Sequence, residues 1–267
     1  QERIGNGAAF NSVGMNLAML LGPLIGGILF KSYGPEGAYA MITGLYCLSG
    51  FSALAIRLDE KPATAGREPV LRSIISGLKY AKGEQIIWGT LMVAIIIEFF
   101  GWTFHTSLIP SFARDVLGTD SASLGVLMFA FGFGALGASL AWAMVRNLRH
   151  VGKLMIAAAL LWHISILAIS TTESFYVSMA ILAFIGMGFG SIQVFTLTAL
   201  LRSADASYRG RVISLRSLAI YSFALGSMST GWIAMAWGPP MAARVIGIMG
   251  IILILILAMF TPKLRRF

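Results

Sequence analysis

The sequence predicts an all-α integral membrane protein with eight transmembrane helices, and three observations carry the prediction. The 267 residues are 57% apolar and only 12% charged, with a mean hydropathy of +0.82, well outside the range of soluble domains. Eight apolar segments, each near or above the roughly 20 residues a helix needs to cross the hydrocarbon, run without strand-like alternation. Of the 20 Lys and Arg residues, all but Lys31, Arg114 and Arg244 fall in every second gap between those segments. Basic side chains resist translocation, so the basic gaps are expected to face the cytoplasm. The net charge of +9 and pI near 10.1 then reflect topology, and no nucleic-acid partner is expected.

The segments run approximately over 10–30, 37–57, 86–110, 122–145, 152–171, 173–201, 212–235 and 243–261. Pro23, Pro110, Pro239 and Pro240 fall inside or at the ends of spans, where a missing N–H kinks or ends a helix. Residues 58–85 are too polar to cross. From Val70 the spacing of Val70, Leu71, Ile74, Ile75 and Leu78 predicts an amphipathic helix lying on the cytoplasmic membrane face. Lys263, Arg265 and Arg266 place the C-terminus inside, in the inner membrane of a cell. Residues 1–9 show neither an initiator Met nor a signal-peptide start, so the chain reads as a piece of a longer protein. Cys47, the single cysteine, lies in an apolar run, and no metal site or cofactor is expected.

Two spans resemble each other. Gly22 and Gly27 of the first match Gly226 and Gly231 of the seventh at the same spacing, which fits duplicated halves. The stretch Ala18, Gly22, Pro23, Gly26, Gly27 is similar to the antiporter motif of the fifth helix in the major facilitator superfamily, with Ala18 where the motif begins with Gly. Arg146, Arg149 and Lys153 resemble the second half of that family's basic loop motif between helices 8 and 9, without its leading Gly and Asp. Segments around Pro110–Gly118 and Arg209–Ser214 resemble the branch of the enterobactin exporter and related drug-efflux permeases. The resemblance implies a partial major facilitator fold, helices 5–12 of twelve. Residues 1–57 become the last two helices of the N-terminal bundle, 58–85 the cytoplasmic linker and 86–267 the six-helix C-terminal bundle.

Candidate pathway residues follow from depth in the membrane. Glu98 is the acid at the middle of a span, where a charge costs about 2.5–3.5 kcal/mol, so it faces a cavity, a partner or a proton path. On an ideal helix His105 projects within about 20° of Glu98, with Trp102 between them, which suggests a cavity-lining stripe. The alternative is a protonated Glu98 that ties its helix to a neighbour. Gln193 and Asn16 are deep polar residues that serve either as pathway contacts or as interhelical hydrogen bonds. Arg209 and Arg211 are topology anchors; by resemblance they also latch a cytoplasmic gate.

The function that follows is secondary transport: a monomeric, proton-coupled exporter of amphipathic small molecules working by alternating access in a lipid bilayer. A solute-uptake permease of the same fold and a non-transporting membrane sensor or scaffold remain open. An enzyme is not expected, because His105, His150 and His163 are scattered and no nucleophile–base or metal motif occurs.

Overall fold

The computed structural model describes residues 2–55, 70–145 and 147–267; the side chains of residues 2–13, Asn16 and Val70 lie outside that description. Within the described residues the chain is helical, in the order α1 (Glu2–Leu54), α2 (Val70–Gly83), α3 (Gln85–Ile96), two π-helical segments (Ile97–Trp102 and Phe104–Leu108), α4 (Ile109–Asp115), α5 (Ser121–Ala143) and α6 (Val151–Ile169). Then follow α7 (Phe175–Ser203), α8 (Arg209–Ile220), α9 (Ser222–Trp237), α10 (Pro239–Phe260) and α11 (Pro262–Arg266).

Among the described residues seven runs of helix are long and apolar enough to cross a bilayer, and the first of them holds two helices that meet at a kink. The segments expected over 10–30 and 37–57 form one long run, broken only at Gly34, where φ is 68° and ψ is −168°. Pro35 disfavours helical geometry in the residue before it, and glycine adopts the positive φ without a Cβ penalty. The remaining expected spans match Gln85–Asp115, Ser121–Ala143, Val151–Ile169, Phe175–Ser203, Arg209–Trp237 and Pro239–Phe260. Of these, Gln85–Asp115 joins α3 to α4 through the π segments, and Arg209–Trp237 joins α8 to α9 through Tyr221.

Packing centres on α5, α6 and α7, with α10 against α6 and α9 against the π segments. The buried core includes Phe104, Phe131, Trp162, Phe195, Met155 and Ile246. Glycine clusters let α5 and α7 approach backbone to backbone: a Cβ on Gly134 would meet the Ala183 carbonyl, and one on Gly186 the Phe131 carbonyl. His163, buried on α6, bonds through Nδ1 to the Ala159 carbonyl at 2.8 Å, and its ring packs on Gly250 of α10.

The first span packs on α5 through the Gly-Pro-rich stretch. Gly27 abuts Ser121 and Gly125, Gly125 abuts Pro23 and Leu24, and Gly132 abuts Met19 and Leu20. Beyond Gly34 the run is largely exposed, including Tyr39, Tyr46, Phe51 and Leu54, and few partners cover it among the described residues.

Candidate functional site

Glu98 lies in the first π-helical segment, roughly midway along its span. A π turn closes i→i+5 hydrogen bonds, so it widens the helix and shifts the register of the side chains that follow. Trp102 closes the same segment, and both it and Glu98 lie against Phe189 of α7. Glu98 turns toward α7 and α8, where Ala94, Phe189, Gln193, Thr196, Arg216 and Ile220 help line a small pocket with space for about one water. Arg216 donates through Nη2 to Gln193 Oε1, and the guanidinium shares the pocket with the Glu98 carboxylate without a direct ion pair. One acid, one base and one amide are therefore gathered from three helices at mid-span.

Trp102 and His105 belong to a neighbouring aromatic cluster. Their rings stack at 4.8 Å, His105 meets Phe131 at 4.0 Å, and Trp102 stacks on Phe189 at 5.1 Å. Trp162 packs edge-on to Phe189 at 5.6 Å, and Gly101 leaves room for the Trp162 indole. Aromatic pairs of this geometry contribute about 0.5–1.5 kcal/mol each beyond area burial. Phe189 touches both groups, lining the Glu98 pocket and carrying the Trp102 stack.

His105 also reaches a larger cavity of about 460 Å³ between the first span and α5, lined by Pro23, Gly26, Gly27, Phe30, Leu124 and Met128 among others. Its Nδ1 is buried without a hydrogen-bond partner among the described residues. Beside this cavity Lys31 Nζ meets Asp120 Oδ2 at 2.6 Å, and Ser121 Oγ donates to the Gly27 carbonyl at 3.2 Å. Asp120 caps α5, its Oδ1 accepting from the Ser123 amide at 2.9 Å. The Lys31 ammonium, with help from that amide, holds the Asp120 carboxyl well below the usual carboxylate range.

The structure thus brings Glu98 together with Gln193, and Trp102 together with His105, while Pro23, Gly26 and Gly27 share a cavity with His105. Ala18 and Gly22 are exposed. The repeat partners differ in contact: Gly226 presses on the Phe99 carbonyl and the Thr103 hydroxyl, whereas Gly22 and Gly231 meet nothing within 4 Å. Asn16, as a side chain, and Arg146 lie outside the described residues. Arg149, Lys153 and Arg209 are exposed at one end of the bundle, with Arg209 Nε donating to the Ala204 carbonyl at 3.3 Å. Arg211 lies over the Tyr208 ring at 5.0 Å.

Arg216 is the residue whose place beside Glu98 and Gln193 sequence reasoning missed. It falls in the basic set of its gap and reads there as a topology anchor, yet it lies inside the span expected over 212–235. A basic side chain past the start of a span is itself a signal.

Seven helical runs long and apolar enough to cross a membrane, packed into a bundle among the described residues, are the architecture of a polytopic membrane protein. The chain belongs to the major facilitator superfamily: it matches the family described as transmembrane secretion effector over residues 1–265. Among curated relatives, the multidrug efflux pump Tap of Mycolicibacterium fortuitum is 23% identical over 94% of this chain. The Tap pump of Mycobacterium tuberculosis is 25% identical over 81% of it. The chain spans 62% and 52% of those two relatives, respectively. A solved structure, a bacterial homologue of the human lysosomal transporter Spinster in an inward-facing, unoccupied conformation, aligns with a TM-score of 0.68 at 14% identity. That alignment covers 98% of this chain and 71% of the other, and it shows the fold. The family and these relatives are transporters, not enzymes.

Proposed function

We propose that this chain forms much of a drug-efflux transporter that exports amphipathic small molecules by proton-coupled alternating access. The observation that carries the reading is the Glu98 carboxylate at mid-span, beside Arg216 and Gln193 on other helices. A charge at that depth is costly, so a group whose charge is cancelled and restored by a proton is the economical occupant. The Arg216 guanidinium balances Glu98 when ionised, and Gln193 holds the guanidinium in place. The apolar cavity on the other side of the aromatic cluster, with His105 and Ser121 in its lining, suits an amphipathic molecule of modest size. The efflux activity named for the Tap relatives supports export over uptake.

In this reading residues 1–57 belong to the N-terminal bundle, 58–85 link the bundles and 86–267 form the C-terminal bundle. The basic end with Arg149 and Lys153 faces the cytoplasm, the C-terminus lies inside, and the working unit is a monomer in the inner membrane. Contacts between the first span and α5 at the Lys31–Asp120 end then close the outer side of the pathway. The test is transport in vesicles by the full-length transporter, followed with a fluorescent lipophilic amine under an imposed pH gradient. Glu98→Gln is expected to abolish gradient-driven movement while substrate still binds. Unchanged coupling in that variant removes Glu98 from the mechanism.

A further inference from the structure

The linker helix α2 docks on α8 and α3 by one face. Gly77 lies against Arg211, Tyr80 stacks on Tyr208 with ring centroids 4.1 Å apart, and Ala81 is fully buried. The opposite face carries Leu71, Ile75 and Leu78, which at 3.6 residues per turn project within about 60° of one another. These three are exposed, Leu71 at 69% and Ile75 at 58%. A helix surrounded by water has no use for such a stripe, whereas one dipping into a lipid interface does. Basic side chains accompany it: Lys82 lies one turn on from Leu78 along the same face, and Arg72 and Lys79 flank it. All three are exposed, and Glu84 is the one acid in residues 70–85.

The stripe runs into a groove. Leu78, Trp88, Leu91, Met92, Ile95, Leu215 and Leu218 are among the residues that line an apolar cavity of about 340 Å³ between α2, α3 and α8. That volume holds about ten groups of water or methylene size, at roughly 30 Å³ each. Lys82 Nζ sits 5.8 Å from the centre of the Trp88 ring at the mouth of this groove. An apolar slot descending into the membrane, with the Lys82 ammonium at its rim and Lys79 one turn back on the same helix, matches an acyl chain below an anionic headgroup.

We propose that this groove is a binding site for one anionic phospholipid of the leaflet on the α2 side, with an acyl chain along Trp88, Met92 and Leu218 and the headgroup held by Lys79 and Lys82. The bound lipid seats α2 against the bundle. The site does not depend on the transport reading.

The 267-residue chain in phosphatidylcholine vesicles tests it, with brominated phosphatidylglycerol or brominated phosphatidylcholine as quencher of the Trp88 fluorescence, isolated by difference from Trp88→Phe. Two lysines near an anionic headgroup predict a preference for the anionic quencher on the order of tenfold. Lys79→Gln with Lys82→Gln is expected to abolish that preference, and so is high salt on the unmodified chain, which needs no variant. Equal quenching by both lipids overturns the proposal in favour of ordinary annular contact. Absence of quenching by either overturns it in favour of a groove covered by protein, and a preference that survives the double substitution overturns the role of the lysines.

Discussion

Gly226 and Gly231 are the two glycines of the seventh span that match Gly22 and Gly27 of the first, yet the structure predicts opposite outcomes for the same substitution at the two. Gly226 of α9 lies where a Cβ would meet the Phe99 carbonyl and the Thr103 hydroxyl, both in or next to the π segments. The contact is stitched by three interhelical hydrogen bonds: Thr103 Oγ1 to the Phe223 carbonyl at 3.3 Å, Ser107 Oγ to Ser227 Oγ at 2.9 Å and Ser222 Oγ to the Ile95 carbonyl at 3.4 Å. Such bonds contribute about 0.6 kcal/mol each between membrane helices. Gly226→Ala forces the helices apart against backbone rather than a flexible side-chain end, for which overpacking costs about 1–3 kcal/mol. Loss of two of the stitches adds about 1 kcal/mol. Gly231→Ala meets nothing within 4 Å and gains helix propensity of about 0.5–1 kcal/mol. The two variants are expected to differ by about 2–5 kcal/mol in unfolding free energy, measured by denaturant titration in mixed micelles. Equal effects, or a more damaging Gly231→Ala, would refute the assignment of Gly226 to the contact between α9 and the π segments.

The remaining predictions concern charge. Asp120, held below its ordinary range by Lys31, contributes stability that is complete above the usual carboxylate range and is lost as pH falls through its folded value. Asp120→Asn keeps the α5 cap but should flatten this acid limb in a low-salt stability profile; parent and variant with the same profile would contradict the pairing. Arg216→Gln leaves Glu98 without its balancing charge at mid-span, an imbalance of about 2.5–3.5 kcal/mol. Adding Glu98→Gln should recover much of the lost stability, and strictly additive losses would show that the two groups do not interact.

Much of the architecture is legible in the sequence because bilayer crossing imposes length, apolarity and charge sorting together. Asp120, just ahead of Ser121 and Ser123 at a helix start, is a residue type that caps helices, and the structure finds it bonded to the Ser123 amide. Less legible are features set by tertiary context. Gly34 joins two helices across a kink, so two expected spans follow one another without a loop between them. The π segments between Ile97 and Leu108 have no composition signature, so an ideal-helix projection does not give the register of Glu98, Trp102 and His105. Arg216 hides among topology arginines because the charge rule explains it too readily. The glycine repeat fixes which residues correspond, but not which of each pair touches a neighbour, since that depends on how α9 and the first span pack against their partners.

The central claim, a carboxylate reached in turn from the two sides of the membrane, is tested most directly by thiol labelling. Glu98→Cys, in a background with Cys47→Ser, is exposed to a small membrane-impermeant reagent from either side of oriented vesicles. The account predicts labelling from one side in the resting transporter and a shift in its rate when substrate is added. A cysteine that stays unreactive from both sides, or reacts from both at rates unaffected by substrate, would contradict it.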